Sequence, residues 1–165
     1  MRKDISILIE NIQRLIKKHE LAPGAYARWT INDGSNRNMG VNEYGCADAA
    51  NILYTIGDFP RSLEERQAFV DTLQNMQDPK NGLLVEATHH SIHTTAHCVA
   101  ALELFDSLPK YKITAFEPYK TKEGLYQFLD GLDWENTPWS QSHQGAGIYA
   151  APTVAEEATP EWTEW

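Results

Sequence analysis

Four of the chain's six histidines fall within one run, His89-His90-Ser91-Ile92-His93-Thr94-Thr95-Ala96-His97, and a fifth stands at His143. Imidazole is the side chain best suited to proton transfer near neutral pH, so this run is the first place to look for general acid/base chemistry. Around it lie carboxylates that can orient a base (Glu86, Asp133 and Glu135) and the indole rings of Trp134 and Trp139. Aromatic faces beside carboxylates and amides are what a hydroxyl-rich ligand needs: rings stack on C–H faces, and polar groups fix the hydroxyls. The catalytic candidates are therefore His93, His143, Glu86, Asp133 and Glu135. The substrate-binding candidates are Asn42, Glu43, His89, His90, Trp134, Trp139 and Gln144.

On a helix, His90, His93 and His97 share one face at spacings of three and four, which matches helical metal ligation. No Glu stands where the two-histidine zinc-protease pattern needs one, and Ala96 precedes His97, so no metal and no other cofactor is expected. Cys46 and Cys98 lie in apolar, alanine-rich stretches and are expected as buried free thiols, not nucleophiles.

The elements that would position these residues are helices. Ile5, Leu8, Ile9, Ile12, Leu15 and Ile16 form one apolar stripe on a helix over 4–19, which Pro23-Gly24 ends. Residues 24–41 are expected as a long loop carrying Trp29, Asn32 and Asp33. Further helices are expected over 42–56, 62–76, 91–105, 117–129 and 143–157. The third has Ser62 and Glu65 as a capping box, and Asp133–Ser142 is a loop before the last. Strands are absent from this reading, apart from a short extended piece at Leu83-Leu84-Val85.

A repeat organises these helices. Ala49-Ala50, Ala100-Ala101 and Ala150-Ala151 lie 51 and 50 residues apart, each in the middle of an even-numbered helix, and Pro60, Pro109 and Pro160 follow at intervals of 49 and 51. Small residues let helices approach closely, and prolines end them. Aligned on the alanines, Asn42, His93 and His143 become equivalent positions, followed by Glu43, Thr94 and Gln144. The expectation is an all-α chain of tandem helical hairpins of about 50 residues, forming part of an α/α toroid. The starts of its inner helices would converge on one polar mouth.

The net charge of −9 and the scattered Lys and Arg exclude nucleic acid as a partner. The cluster Arg14, Lys17 and Lys18 sits late in the first helix, where it complements the helix dipole. No apolar run approaches a membrane span, and no secretory signal opens the chain, so a cytoplasmic protein without membrane contact is expected. Pro160-Glu161-Trp162-Thr163-Glu164-Trp165 reads as the first turn of a further outer helix. The chain is therefore expected to be the N-terminal half of a larger toroid, missing its C-terminal half or self-associating. A complete small helical domain is the alternative.

The architecture resembles the α/α-toroid enzymes. Gln74-Asn75-Met76-Gln77-Asp78-Pro79-Lys80-Asn81-Gly82-Leu83-Leu84 looks like the turn that precedes inner helices in the terpenoid-cyclase and prenyltransferase branch. The loops with Trp, His and carboxylates look more like the six-hairpin branch of glycosidases, polysaccharide lyases and sugar epimerases. That resemblance implies a carbohydrate-acting hydrolase or lyase with an oligosaccharide or other small-molecule ligand. An isoprenoid-type toroid and a non-catalytic helical-repeat interaction module are the alternatives.

Overall fold

The computed structural model of the chain describes residues 4–31, 34 and 37–165; Asn32 and Asp33 lie outside the described residues. The chain is all-α apart from one small ribbon. Helix α1 spans Ser6–His19, with Lys17, Lys18 and His19 in its last turn facing the negative end of the dipole. Its apolar stripe is only partly used. Ile16 is buried, whereas Ile5, Leu8 and Leu15 are more than half exposed.

Strands β1 (Glu20–Ala22) and β2 (Ala25–Tyr26) then form an antiparallel ribbon, and Ala27 bridges to Val41. This corrects the strand-free reading of the sequence: strands of three and two residues are too short to show an alternation. The turn needs Gly24, at φ +72°. A Cβ there would lie 2.4 Å from the Ala68 backbone carbon.

Helices α2 (Glu43–Thr55), α3 (Leu63–Asn75) and α4 (Ser91–Glu103) follow. Each has a side-chain cap. Asn42 Oδ1 accepts the Gly45 N–H at 3.0 Å, Ser62 and Glu65 form the reciprocal capping box, and His90 Nδ1 accepts the Ile92 N–H at 3.3 Å. The helix expected over 117–129 is instead two pieces, a 3-10 helix at Thr114–Tyr119 and α5 at Lys122–Asp130. Pro118 interrupts the ladder, and Thr121 restarts it by accepting the Gly124 N–H at 3.1 Å.

Helix α6 runs over Pro138–Val154, starting five residues before His143. Pro138 supplies a preset first turn, so Trp139 and Gln141 are helical and not in a loop. The short α7 (Pro160–Thr163) is capped by Thr159.

Helix α2 packs on α4, and α4 on α6; α3 packs against α2 and α4. Ala50 in α2, Ala101 in α4 and Ala151 in α6 are each 0% exposed. Two cores result. One joins Ile16, Tyr26, Leu53, Phe69, Leu73 and Phe105; the other joins Ile113, Phe116, Leu125, Ile148 and Trp162. Helix α4 serves both, through Cys98 and Leu102 on one side and Ile92 and Val99 on the other. Among the described residues no helix is long and apolar enough to cross a membrane.

Candidate functional site

Helices α2 and α4 lie in matched register, because Tyr44 meets His93 and, one turn on, Asp48 meets His97. Both pairs are 49 residues apart, so the two helices run in the same direction. On the other side of α4, the rings of His93 and His143 stack at 4.4 Å between centroids. Trp139 meets His143 edge-on at 4.9 Å. His89 stacks on Tyr44 at 4.1 Å, and its centroid is 5.7 Å from that of His93. The first turns of α2 and α4, the residue before the α4 cap and the first two turns of α6 thus bring together one row of rings: Tyr44, His89, His93, His143 and Trp139.

Glu86 anchors this row from beneath, its side chain only 2% exposed. Oε1 accepts the Thr88 N–H at 3.0 Å, the Thr88 hydroxyl at 2.7 Å and the His89 Nδ1–H at 2.6 Å. Oε2 lies 3.3 Å from Arg28 Nη1. Burial works against the charge of Glu86. The hydrogen bonds from Thr88 and His89 and the nearby Arg28 guanidinium outweigh it and hold the carboxyl below its usual range. Arg28 donates to the Thr88 hydroxyl at 2.6 Å and lies over the Tyr44 ring at 4.8 Å.

His93 is held uncharged. Burial, then the neighbouring His143, His89 and His97, push its pKa down to about 4. Its Nδ1 is hydrogen-bonded to the Tyr44 hydroxyl. Burial and the charge of Glu86 raise the Tyr44 phenol well above its ordinary range, so it keeps its proton. Glu43, half-buried at the start of α2, is raised by burial and by the nearby Glu86. Two clefts flank the 86–89 loop and share Thr88. One, of about 700 Å³, is lined by Trp29, Asn42, Glu43 and Glu86; the other, of about 390 Å³, by His89, His90, Trp139, His143 and Gln144.

No family model, curated protein or solved structure matches this chain. The site is therefore read from its own chemistry.

The candidates from the sequence divide into three groups. His89, His93, His143, Glu86 and Trp139 are in mutual contact, and Glu43 lines the cleft beside Glu86. Asn42 and His90 reach the clefts, but their side chains serve as helix caps, and Gln144 donates to Gln141 at 2.9 Å. Asp133, Glu135 and Trp134 build the approach to α6. Asp133 accepts the Asn136 N–H at 3.0 Å, Glu135 is exposed, and Trp134 donates to the Leu129 carbonyl at 2.8 Å with its ring against Gly145. No contact of these three with the histidine row occurs among the described residues.

Sequence reasoning missed Arg28, Tyr44, Asp48 and Thr88. The signal for two of them was present: Tyr44 and Asp48 repeat the four-residue spacing of His93 and His97. Among the described residues no group of three or more His, Cys, Asp or Glu is arranged to hold a metal ion. His90, His93 and His97 are each committed elsewhere, to the Ile92 N–H, the Tyr44 hydroxyl and Asp48. Cys46 and Cys98 are buried, and burial raises both thiols, Cys46 to about 11.

Proposed function

We propose that this chain carries a carbohydrate-acting site at the starts of α2, α4 and α6, in a helical-hairpin array of the α/α-toroid type. The observation that carries the reading is the convergence of His89, His93 and His143 with Tyr44 and Trp139 beside two clefts. Imidazoles supply donors and acceptors for hydroxyls, and proton transfer where a bond is made or broken. The Trp139 indole is 78% exposed, and its neighbour His143 lines the same cleft, so a ring face is offered next to polar groups. An isoprenoid ligand would call for an apolar cavity here, and the lining of both clefts is mixed.

The test is an NMR titration of the chain with neutral, amino- and uronic-acid oligosaccharides, following the His and Trp ring signals. At least one sugar class is expected to shift His89, His143 and Trp139 in a saturable way. Trp139→Ala should weaken that binding about five- to tenfold, the loss of one aromatic contact worth about 1–1.4 kcal/mol. If no sugar class moves these signals, the carbohydrate reading is wrong.

A further inference from the structure

Helices α1, α2, α4 and α6 pack side by side in that order, so α1 and α6 are the two edges of one layer. On the α1 edge, Leu8 and Leu15 are 57% and 54% exposed, although an amphipathic helix normally buries such a stripe. An apolar groove of about 290 Å³ runs between α1 and α2. It is walled by Ile12, Leu15 and Ile16 on one side and by Gly45, Ala49 and Ile52 on the other.

On the α6 edge the repeat picks out the open face. Helix α4 presents Ile92, Ala96 and Val99 to the core it shares with Ile148 and Ala151 of α6. Fifty residues on, the same positions of α6 are Ser142, Ala146 and Tyr149, and all three are exposed. Their spacings of four and three put them on one face, which the exposed Thr153 continues. Helix α6 thus repeats, toward solvent, a face that takes a helix on α4.

The two edges also differ in charge. Arg14, Lys17 and Lys18 stand in the last turns of α1. Residues 123–165 contain eight carboxylates and no Lys or Arg. Two of those carboxylates, Glu161 and Glu164, are exposed in and just after α7, whose Trp162 stacks on Tyr149.

We propose that the α6 face of one copy of this chain seats against the α1–α2 groove of a second copy, with the acidic edge of one facing the basic edge of the other. The two faces are different, so the contact is head-to-tail. Each copy keeps one groove and one α6 face for the next, and the assembly closes as a ring or grows as a chain. An anionic lipid surface is the other occupant that an amphipathic, basic α1 suits. The net charge of −9 opposes it, whereas both halves of the head-to-tail contact are carried by one chain. Neither face includes the row of rings or lines the two clefts beside it, so this contact is independent of the carbohydrate reading.

Sedimentation equilibrium of the intact chain from about 10 μM to about 1 mM, the range of weak association, reads the contact. The mean mass is expected to rise with concentration above that of one chain. Leu15→Glu puts a carboxylate at the groove, and Ala146→Glu puts one on the α6 face. Each variant is expected to stay at the mass of one chain, with the helical circular dichroism of the parent, because both positions are exposed. Mixed in equal amounts, the two variants are expected to pair and to stop at a dimer, since one retains its α6 face and the other its groove. A parent chain that stays at the mass of one chain overturns the proposal, and so does a mixture that fails to pair. Association that Ala146→Glu leaves unchanged overturns it in favour of α1 faces pairing with each other. A chain that stays single in solution but sediments with phosphatidylglycerol vesicles overturns it in favour of a lipid surface.

Discussion

His93 keeps its ring neutral because the fold removes much of its water and gives it three other imidazoles as neighbours. That has a consequence for stability. In the unfolded chain the same ring returns to an ordinary pKa of 6.5, so below that value the unfolded chain binds a proton that the folded chain refuses until about 4. The stability that this ring contributes is complete above the unfolded value and is lost as pH falls toward the folded one. His90, lowered by burial alone, acts in the same direction. Glu86, held below the ordinary 4.5, adds a loss only at lower pH, where its carboxylate is protonated. The melting temperature is therefore expected to fall steadily between about pH 7 and about pH 5, with His93→Gln flattening much of that slope. Thermal melts across this range decide it. An unchanged slope in the variant would mean that His93 titrates alike in the folded and the unfolded chain, so that the fold does not hold its ring neutral.

At the scale of the element, the site depends on how tightly α2 lies against the ribbon that holds Arg28. Gly45 is the contact point. A Cβ there would fall 2.7 Å from the Ala27 carbonyl carbon and 2.8 Å from the Arg28 nitrogen, both backbone atoms that cannot swing away. Gly45→Ala is expected to cost about 2 kcal/mol by overpacking and to loosen the Arg28–Glu86 contact, read by urea denaturation and by the His89 ring signals. Several elements were legible in the residues alone: the Ser62–Glu65 box, the dipole-matched end of α1 and the helix start at Pro160. Others were not, because a local rule was outweighed. Pro118 split one expected helix, Pro138 started another early, and the stripe on α1 found a partner only near Ile16. The histidine row was half legible. Aligning the alanines put His93 opposite His143, but Tyr44, which holds His93 from the other side, is marked only by the four-residue spacing it shares with Asp48, because a tyrosine near a helix start is by itself ordinary.

At the scale of the whole molecule, the two cores are not independent, because α4 contributes a face to each. A helix shared in this way ties the unfolding of one core to the other, so the chain should unfold in one transition. Trp162 is the sharpest probe of that coupling. It is buried at the far end of the second core, stacks on Tyr149 at 5.9 Å and donates its indole N–H to the Tyr119 carbonyl at 2.9 Å. Removing it should cost about 3–5 kcal/mol, the usual loss for a buried indole. The coupling fixes how that loss is distributed. In Trp162→Ala the amides of α2, which touch the first core only, should exchange with solvent faster by the same factor as those of α4, while α1 exchanges quickly in both proteins because its stripe is largely exposed. Hydrogen exchange measured by mass spectrometry resolves the three helices. If α2 stayed protected while α4 and α6 opened, the two cores would be separate folding units, and the row of rings spanning α2, α4 and α6 would lie across a joint instead of within one body.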